Sequence, residues 1–248
     1  MSWRARLGAA VLATALVGTA TGCGGLTDLI ETLPSTTTGT GGPGAPVAAP
    51  TGDAATALAA LEVKGRAPKT GYDRDEFGQR WGDVDRNGCD QRNDVLARDL
   101  VGETFREGSD CVVVTGRLTD PFTGAEIAFV RGRDTSDDVQ IDHVVALSDA
   151  WQKGAQQLDA ATRELVGNDP LNLLAVDGPS NQSKGDGDAA TWLPPNRAFR
   201  CDYVARQVAV KAKYGLWVTA AERDAIARVL GDCPGQPLPV DPPPAVPG

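Results

Sequence analysis

The chain has 248 residues, 41% of them hydrophobic and 23% charged, proportions of a globular protein rather than a disordered or fibrous one. Its 33 acidic residues outnumber its 24 lysines and arginines, for a formal charge of −9. That balance excludes a broad basic surface as the source of affinity for a polyanion, so any contact with phosphate has to be local or bridged by a cation.

The first residues, MSWRARLGAAVLATALVGTATGC, set Arg4 and Arg6 ahead of an apolar stretch ending in small residues at Cys23, the layout of a bacterial export signal. Ala20, Thr21 and Gly22 resemble a lipoprotein cleavage box. Residues 1–22 are therefore expected to be removed and Cys23 to carry a lipid; the rival is ordinary secretory cleavage nearby. The apolar run is too short and alanine-rich for a permanent membrane span. Expected locations are the outer face of the cytoplasmic membrane or the extracellular space. Loss of two arginines and no acid makes the remainder still more negative.

Residues 23–52 are rich in Gly, Thr and Pro, cannot bury a core and read as a flexible tether; the proline-rich tail 234–248 reads the same way. Between them, residues 53–233 are long enough for one sizeable core. Asp53 as N-cap, helical spacing in DAATALAALEVKG and Gly65 as a stop predict a first helix. CVVVTGRL and AEIAFV flank the turn-rich TDPFTG and predict a hairpin. VQIDHVVAL reads as a strand, Ser148 as the cap of a helix through DAWQKGAQQL, and NLLAV as a short strand. CDYVARQVAVKAKYG is helical, and Thr219 with Glu222 makes a capping box for a last helix. The class is α+β, and no internal repeat is present.

Cys89, Cys111, Cys201 and Cys233 are an even set in an exported chain, where disulfides persist. Three connectivities exist; the sequence-local one, Cys89 with Cys111 and Cys201 with Cys233, is favoured because it ties neighbouring elements together. Each such loop is worth roughly 3 kcal/mol on a chain-entropy view. The absence of a C-x-x-C pair argues against a zinc ribbon. Between the first helix and the hairpin, DVDRNGCDQRND sets Asp83, Asp85 and Asn87 at alternate positions before Gly88, with Asp94 at the twelfth place of a calcium-type loop. An aspartate replaces the usual bidentate glutamate there, so a structural Ca²⁺ is one reading and a disulfide-held loop the other.

His143, the single histidine, follows Asp142 on the predicted strand. Such a residue is more often structural than catalytic, but NDPLNLLAVDGPSNQSKGD adds Asn172 at the next strand and Asn181 and Lys184 three apart, on one face of a helix. The pattern resembles the HNH endonucleases of the ββα-metal, or His-Me finger, superfamily. The stretches QIDHVVALSDAW, TWLPPN, KYGLWVT and CDQRNDVLARDL are similar to its small exported branch. The likeness covers Tyr72 to Leu230.

That resemblance implies a ββα-metal core with flanking helices and a small hairpin. It makes His143 the general base, Asp142 and Asn181 metal ligands, and Asn172 the residue that orients the imidazole. One carboxylate and one amide suit Mg²⁺, or another divalent cation such as Mn²⁺, better than zinc. Lys184 would add positive charge at the phosphate, or be an ordinary solvated lysine. Arg131, Arg133, Arg197, Arg200, Arg206, Lys211 and Lys213 flank the motif and would supply a local basic rim or, taken singly, be ordinary surface residues, while Asp90, Arg92 and Asn93 would be structural or line the groove. The implied function is metal-dependent hydrolysis of nucleic acid, DNA ahead of RNA, with weak sequence specificity, by a monomer. The alternatives are a lipid-anchored binding or scaffold protein on an inactive fold, and a hydrolase of another phosphodiester.

Overall fold

Helix α1 (Asp53–Ala60) is capped by Gly52 and not by Asp53, and it ends well before Gly65. The shortening has a local cause. The chain turns extended at Leu61, and Val63 forms a parallel bridge with Val218, so Glu62 and Lys64 bond to another segment's backbone instead of continuing the helix. The computed structural model describes residues 51–241. The expected signal, the lipid-bearing Cys23, the tether up to residue 50 and the tail beyond residue 241 lie outside the described residues.

Helix α2 (Gln91–Asp99) starts at Asp90, whose side chain accepts from the Asn93 amide. It runs directly into β1 (Leu100–Phe105), which pairs with β2 (Val113–Thr119), which pairs with β3 (Glu126–Val130), all antiparallel. The expected hairpin is β2–β3. Strand β1 was not anticipated, because Gly102 at φ 65° and the register shift between Val101 and Thr104 interrupt the alternation that marks a strand.

The second sheet is a ribbon of β4 (Val139–His143) and β5 (Leu173–Asp177), antiparallel, with Asp142 opposite Leu174 and His143 opposite Leu173. Helices α3 (Leu147–Gln152) and α4 (Ala160–Asn168) lie in the connection. Helix α3 is capped at Ala146 without a side-chain bond and stops at Lys153, before Gly154 at φ 125°. Ser148 lies inside it, and its hydroxyl donates to Asp186. After β5 comes α5 (Gly178–Lys184), which completes a ββα unit. The strand-to-helix corner demands glycine: a Cβ on Gly178 would collide with the Asp137 carbonyl oxygen.

Helices α6 (Arg200–Tyr214) and α7 (Ala220–Gly231) follow, the latter opened by the Thr219–Glu222 capping box. Ribbon residues Val139, Ile141, Leu173 and Ala175 pack with Val95, Leu96 and Phe129, while Leu174 and Val176 pack with Tyr203, Val204 and Val208 of α6. The alternation follows the period of two along a strand and leaves the ribbon buried on both faces. Disulfides join Cys89 to Cys111 and Cys201 to Cys233, the sequence-local pairing. Each ties a helix start to a later element. Among the described residues no helix is long and apolar enough to cross a membrane.

Candidate active site

Strand β4 ends at a cleft of about 670 Å³ lined by Asp142, His143, Gln140 and Asn181 on one side and by Tyr72, Arg74, Arg80, Trp81 and Arg92 on the other. The ββα unit supplies the first group; the loop before α2, and α2 itself, supply the second. Consecutive strand residues leave opposite faces of the strand. Asp142 and His143 both reach the cleft because β4 stops there.

His143 is buried, and its Nε2 lies 2.8 Å from the Gly167 carbonyl oxygen. A carbonyl only accepts, so Nε2 carries the proton and Nδ1 is the ring's basic nitrogen. Burial pushes the imidazole pKa down to about 3, with Arg74, Lys184 and Arg80 adding to the effect and the Gly167 bond opposing it. The ring is thus neutral throughout the physiological range. Trp81 stacks nearly parallel to it, 6.0 Å between centroids and 13° between planes, from a backbone φ of 60° that few non-glycine residues adopt.

Asp142 is buried, and burial raises its carboxyl pKa against the pull of Lys184. Its Oδ1 accepts from Lys184 Nζ at 2.9 Å; its Oδ2 has no hydrogen-bond partner. A sealed carboxylate oxygen without a partner is costly unless a cation or a donor completes it. Asn181, half-buried on α5, donates Nδ2 to Gln140 Oε1 at 2.9 Å, which fixes the amide and turns its oxygen the other way. Asp142 Oδ2 and Asn181 are therefore donors of the type a hard divalent cation takes, with room in the cleft for water as the remaining ligands. Among the described residues, no three Asp, Glu, His or Cys side chains converge as a ready-made cage.

Two expected roles are revised. Asn172 does not touch the imidazole: its Oδ1 accepts from the Val145 amide and its Nδ2 donates to the Val145 and Val166 carbonyls, so it ties together the chain on either side of the ribbon. The Gly167 carbonyl orients the ring instead. Lys184 is neither solvated nor at an open phosphate position. It is buried, and its Nζ also donates to the His143 carbonyl at 2.9 Å, holding the end of β4 to α5.

The basic rim is also built differently. Of the flanking residues expected there, Lys211 is buried in an ion-pair network, Lys213 pairs with Asp169 and Asp241, and Arg200 and Arg206 donate to backbone carbonyls. Arg131 donates to Asn93. None of Arg131, Arg133, Arg197, Arg200, Arg206, Lys211 or Lys213 lines the cleft. Arg74, Arg80 and Arg92 do. Burial and then the charge of Arg80 lower the pKa of Arg74; burial, then Arg131 and Arg80, lower that of Arg92. The like charges press on one another, as in a site made for an anion. The available signal was the alternation of aromatic residues with arginines in YDRDEFGQRW, residues 72–81. Of the groove candidates in α2, Arg92 lines the cleft, Asp90 caps the helix, and Asn93 accepts from the Val113 amide.

Asp83, Asp85 and Asn87, in the loop that leads into α2, are grouped with Asp94 in the first turn of that helix, none of them lining the cleft. The two disulfides lie outside it as well.

Comparison with known proteins adds a family to this geometry. A protein of Arthroderma benhamiae, called an uncharacterized secreted protein, is 36% identical over 178 residues, which span 71% of this chain and 82% of the relative. No solved structure is significantly similar. Residues 90–229 match the C-terminal domain of GmrSD restriction endonucleases, a span that holds Asp142, His143, Asn172, Asn181, Lys184 and Arg92 but not Arg74, Arg80 or Trp81. Since the match takes in more than half the sequence, the chain belongs to the family of GmrSD restriction endonuclease C-terminal domains.

Proposed function

We propose that this protein is a cation-dependent endonuclease of the HNH type that hydrolyses phosphodiester bonds of nucleic acid, with His143 as its general base. One observation carries the reading: a buried imidazole, locked in one tautomer by Gly167 and kept neutral, stands beside Asp142 in a cleft walled by three arginines. Phosphodiester hydrolysis needs a water deprotonated in line with the leaving oxygen, and histidine is the side chain whose ordinary pKa allows this near neutral pH; burial weakens the base, and the negative charge of a bound phosphate would strengthen it again. The water oxygen bonds to phosphorus, its proton passes to Nδ1 of His143, and the bond from phosphorus to the 3′ oxygen breaks. Arg74, Arg80 and Arg92 hold the phosphate against the cleft wall and balance its charge. Asp142 and Asn181 would hold a Mg²⁺ or Mn²⁺ ion, which would supply positive charge against the negative charge that grows in the transition state. Asn172 and Lys184 position the loop and the strand end that carry the base.

DNA is the preferred substrate in this reading, and the molecule acts as an exported monomer. Support for export comes from the secreted relative, the signal-like first 22 residues and the two disulfides. Attachment to the membrane through Cys23 belongs to the same proposal.

The ion pair between Lys184 and Asp142 favours a second reading, a binding protein on an inactive fold, since the lysine already compensates the carboxylate. Incubation of the mature protein with plasmid DNA separates the two. Nicking in Mg²⁺ that stops in EDTA is expected of the nuclease; no cleavage in any divalent cation would contradict it.

A further inference from the structure

The loop before α2 follows the twelve-place pattern of a calcium loop further than its aspartates alone show. Asp83, Asp85 and Asn87 occupy places one, three and five, Gly88 the sixth, the Cys89 carbonyl the seventh, Gln91 the ninth and Asp94 the twelfth. Arg86 at φ 60° and Gly88 at φ 92° bend the backbone so that the acidic side chains turn inward. Asp83 accepts from the Asn87 and Gly88 amides at 3.1 and 3.0 Å. Asn87 Nδ2 reaches Asp85 at 3.3 Å and Asp94 at 3.1 Å.

A separate observation points to a missing positive partner. Gln91 is fully buried, and its amide is aimed into the cluster, with Nε2 at 3.2 Å from Asp94 and 3.4 Å from Asp85. Its Oε1 is sealed from water and has no hydrogen-bond partner. Turned about, the same amide would present oxygen to the space between the two carboxylates, which is the arrangement a hard cation selects. Asp94 is itself buried, and among the described residues its two carboxylate oxygens accept only from the Asn87 and Gln91 amides.

We propose that residues 83–94 form a calcium site whose ligands are Asp83, Asp85, Asn87, the Cys89 carbonyl, Gln91 and Asp94. The three carboxylates do not form a cage unaided, so the loop closes on its ion. Closure has a consequence for the cleft. The Gln91 backbone N–H donates to the Trp81 carbonyl at one end of the loop, and Arg92 projects from the first turn of α2 at the other, so the ion holds two cleft residues in place. The site is independent of the nuclease reading, and its test involves no cleavage.

The test is thermal unfolding of the intact mature protein, stripped with EDTA, in 10 mM CaCl₂ or 10 mM MgCl₂, with calcium titration calorimetry alongside. For a Kd near 0.1 mM, Ca²⁺ should raise Tm by about 5–10 °C. Mg²⁺ should do so less, and calorimetry should give one Ca²⁺ site that Asp85→Asn removes and Asp142→Asn keeps. Asp85→Asn and Asp94→Asn should each abolish the shift, while Asp142→Asn should keep it. Asp85 is only half-buried, so its variant reports even if Asp94→Asn fails to fold. No calcium shift in the wild type, a shift that survives Asp85→Asn, or one lost in Asp142→Asn would each overturn the proposal.

Discussion

Two groups of charged side chains in this molecule are built from the same residue types and end in opposite states. Beneath α3, Lys153 pairs with Asp149, Asp188 and Glu222 at 2.6–2.8 Å, while Lys211 pairs with Glu222 at 2.9 Å and Arg66 with Asp149 and Asp188 at 2.8 and 2.7 Å. Three cations meet three carboxylates, and only Arg66 reaches water. In the cleft, Arg74, Arg80 and Arg92 form no salt bridge among the described residues, and Asp142 keeps an oxygen without a partner. In the first group Asp149 Oδ1 and Glu222 Oε1, which lack a hydrogen bond, each still have a cation at 2.8–2.9 Å, so that group is neutralised from within and serves the fold. In the second the arginines and that oxygen are left without counter-charges, as the proposed phosphate and cation site requires.

Breaking the neutralised group should have the largest effect. Lys153→Met leaves three buried carboxylates short of a cation, a loss of about 3–5 kcal/mol, which corresponds to a Tm lower by about 6–20 °C in a domain of this size. An unshifted melting curve would show that the network does not hold α3 to α7.

Removing charge from the second group should leave the fold intact and weaken substrate instead. Arg74→Ala and Arg80→Ala are each expected to raise KM for a duplex oligonucleotide by about tenfold or more, the worth of a charged hydrogen bond. Tm should stay level or rise as like charges separate. An unchanged KM for both would remove the arginines from the phosphate site.

The most gradual effect is spread over pH. His143 has its pKa lowered to about 3 from 6.5. Between those values the unfolded chain binds a proton that the folded chain refuses, so stability falls as pH falls, by up to about 1.4 kcal/mol per pH unit. The same neutrality should carry the acid limb of kcat/KM to well below pH 6.5. A limb at 6.5, with His143→Gln melting at the same pH-dependent temperatures as the wild type, would mean that the imidazole is solvated.

Much of the fold was legible because β2–β3, β4, β5, α6 and α7 carry their own signals: turn residues between apolar runs, a two-residue period, or a capping box. Strand β1 and the true end of α1 were not, since both depend on partners distant in sequence: β2 opposite β1, and Val218 beside Val63. The positions of Asp142, His143 and Asn181 at the cleft were visible because one short ββα unit places them, and their roles belong to the proposal. The roles of Asn172 and Lys184 were not visible, because a side chain's partners are set by packing. Asn172 meets Val145 and Val166 across the connection, and Lys184 turns inward to Asp142. The arginines arrive from an earlier segment that motif spacing does not reach.

The most direct test of the central claim is the rate of plasmid cleavage by His143→Ala in Mg²⁺, measured beside its melting curve. The expected result is a folded protein whose cleavage rate is lower by about 10²–10⁴-fold, the usual contribution of a general base. A folded variant with wild-type Tm that still cleaves at the wild-type rate would contradict the account.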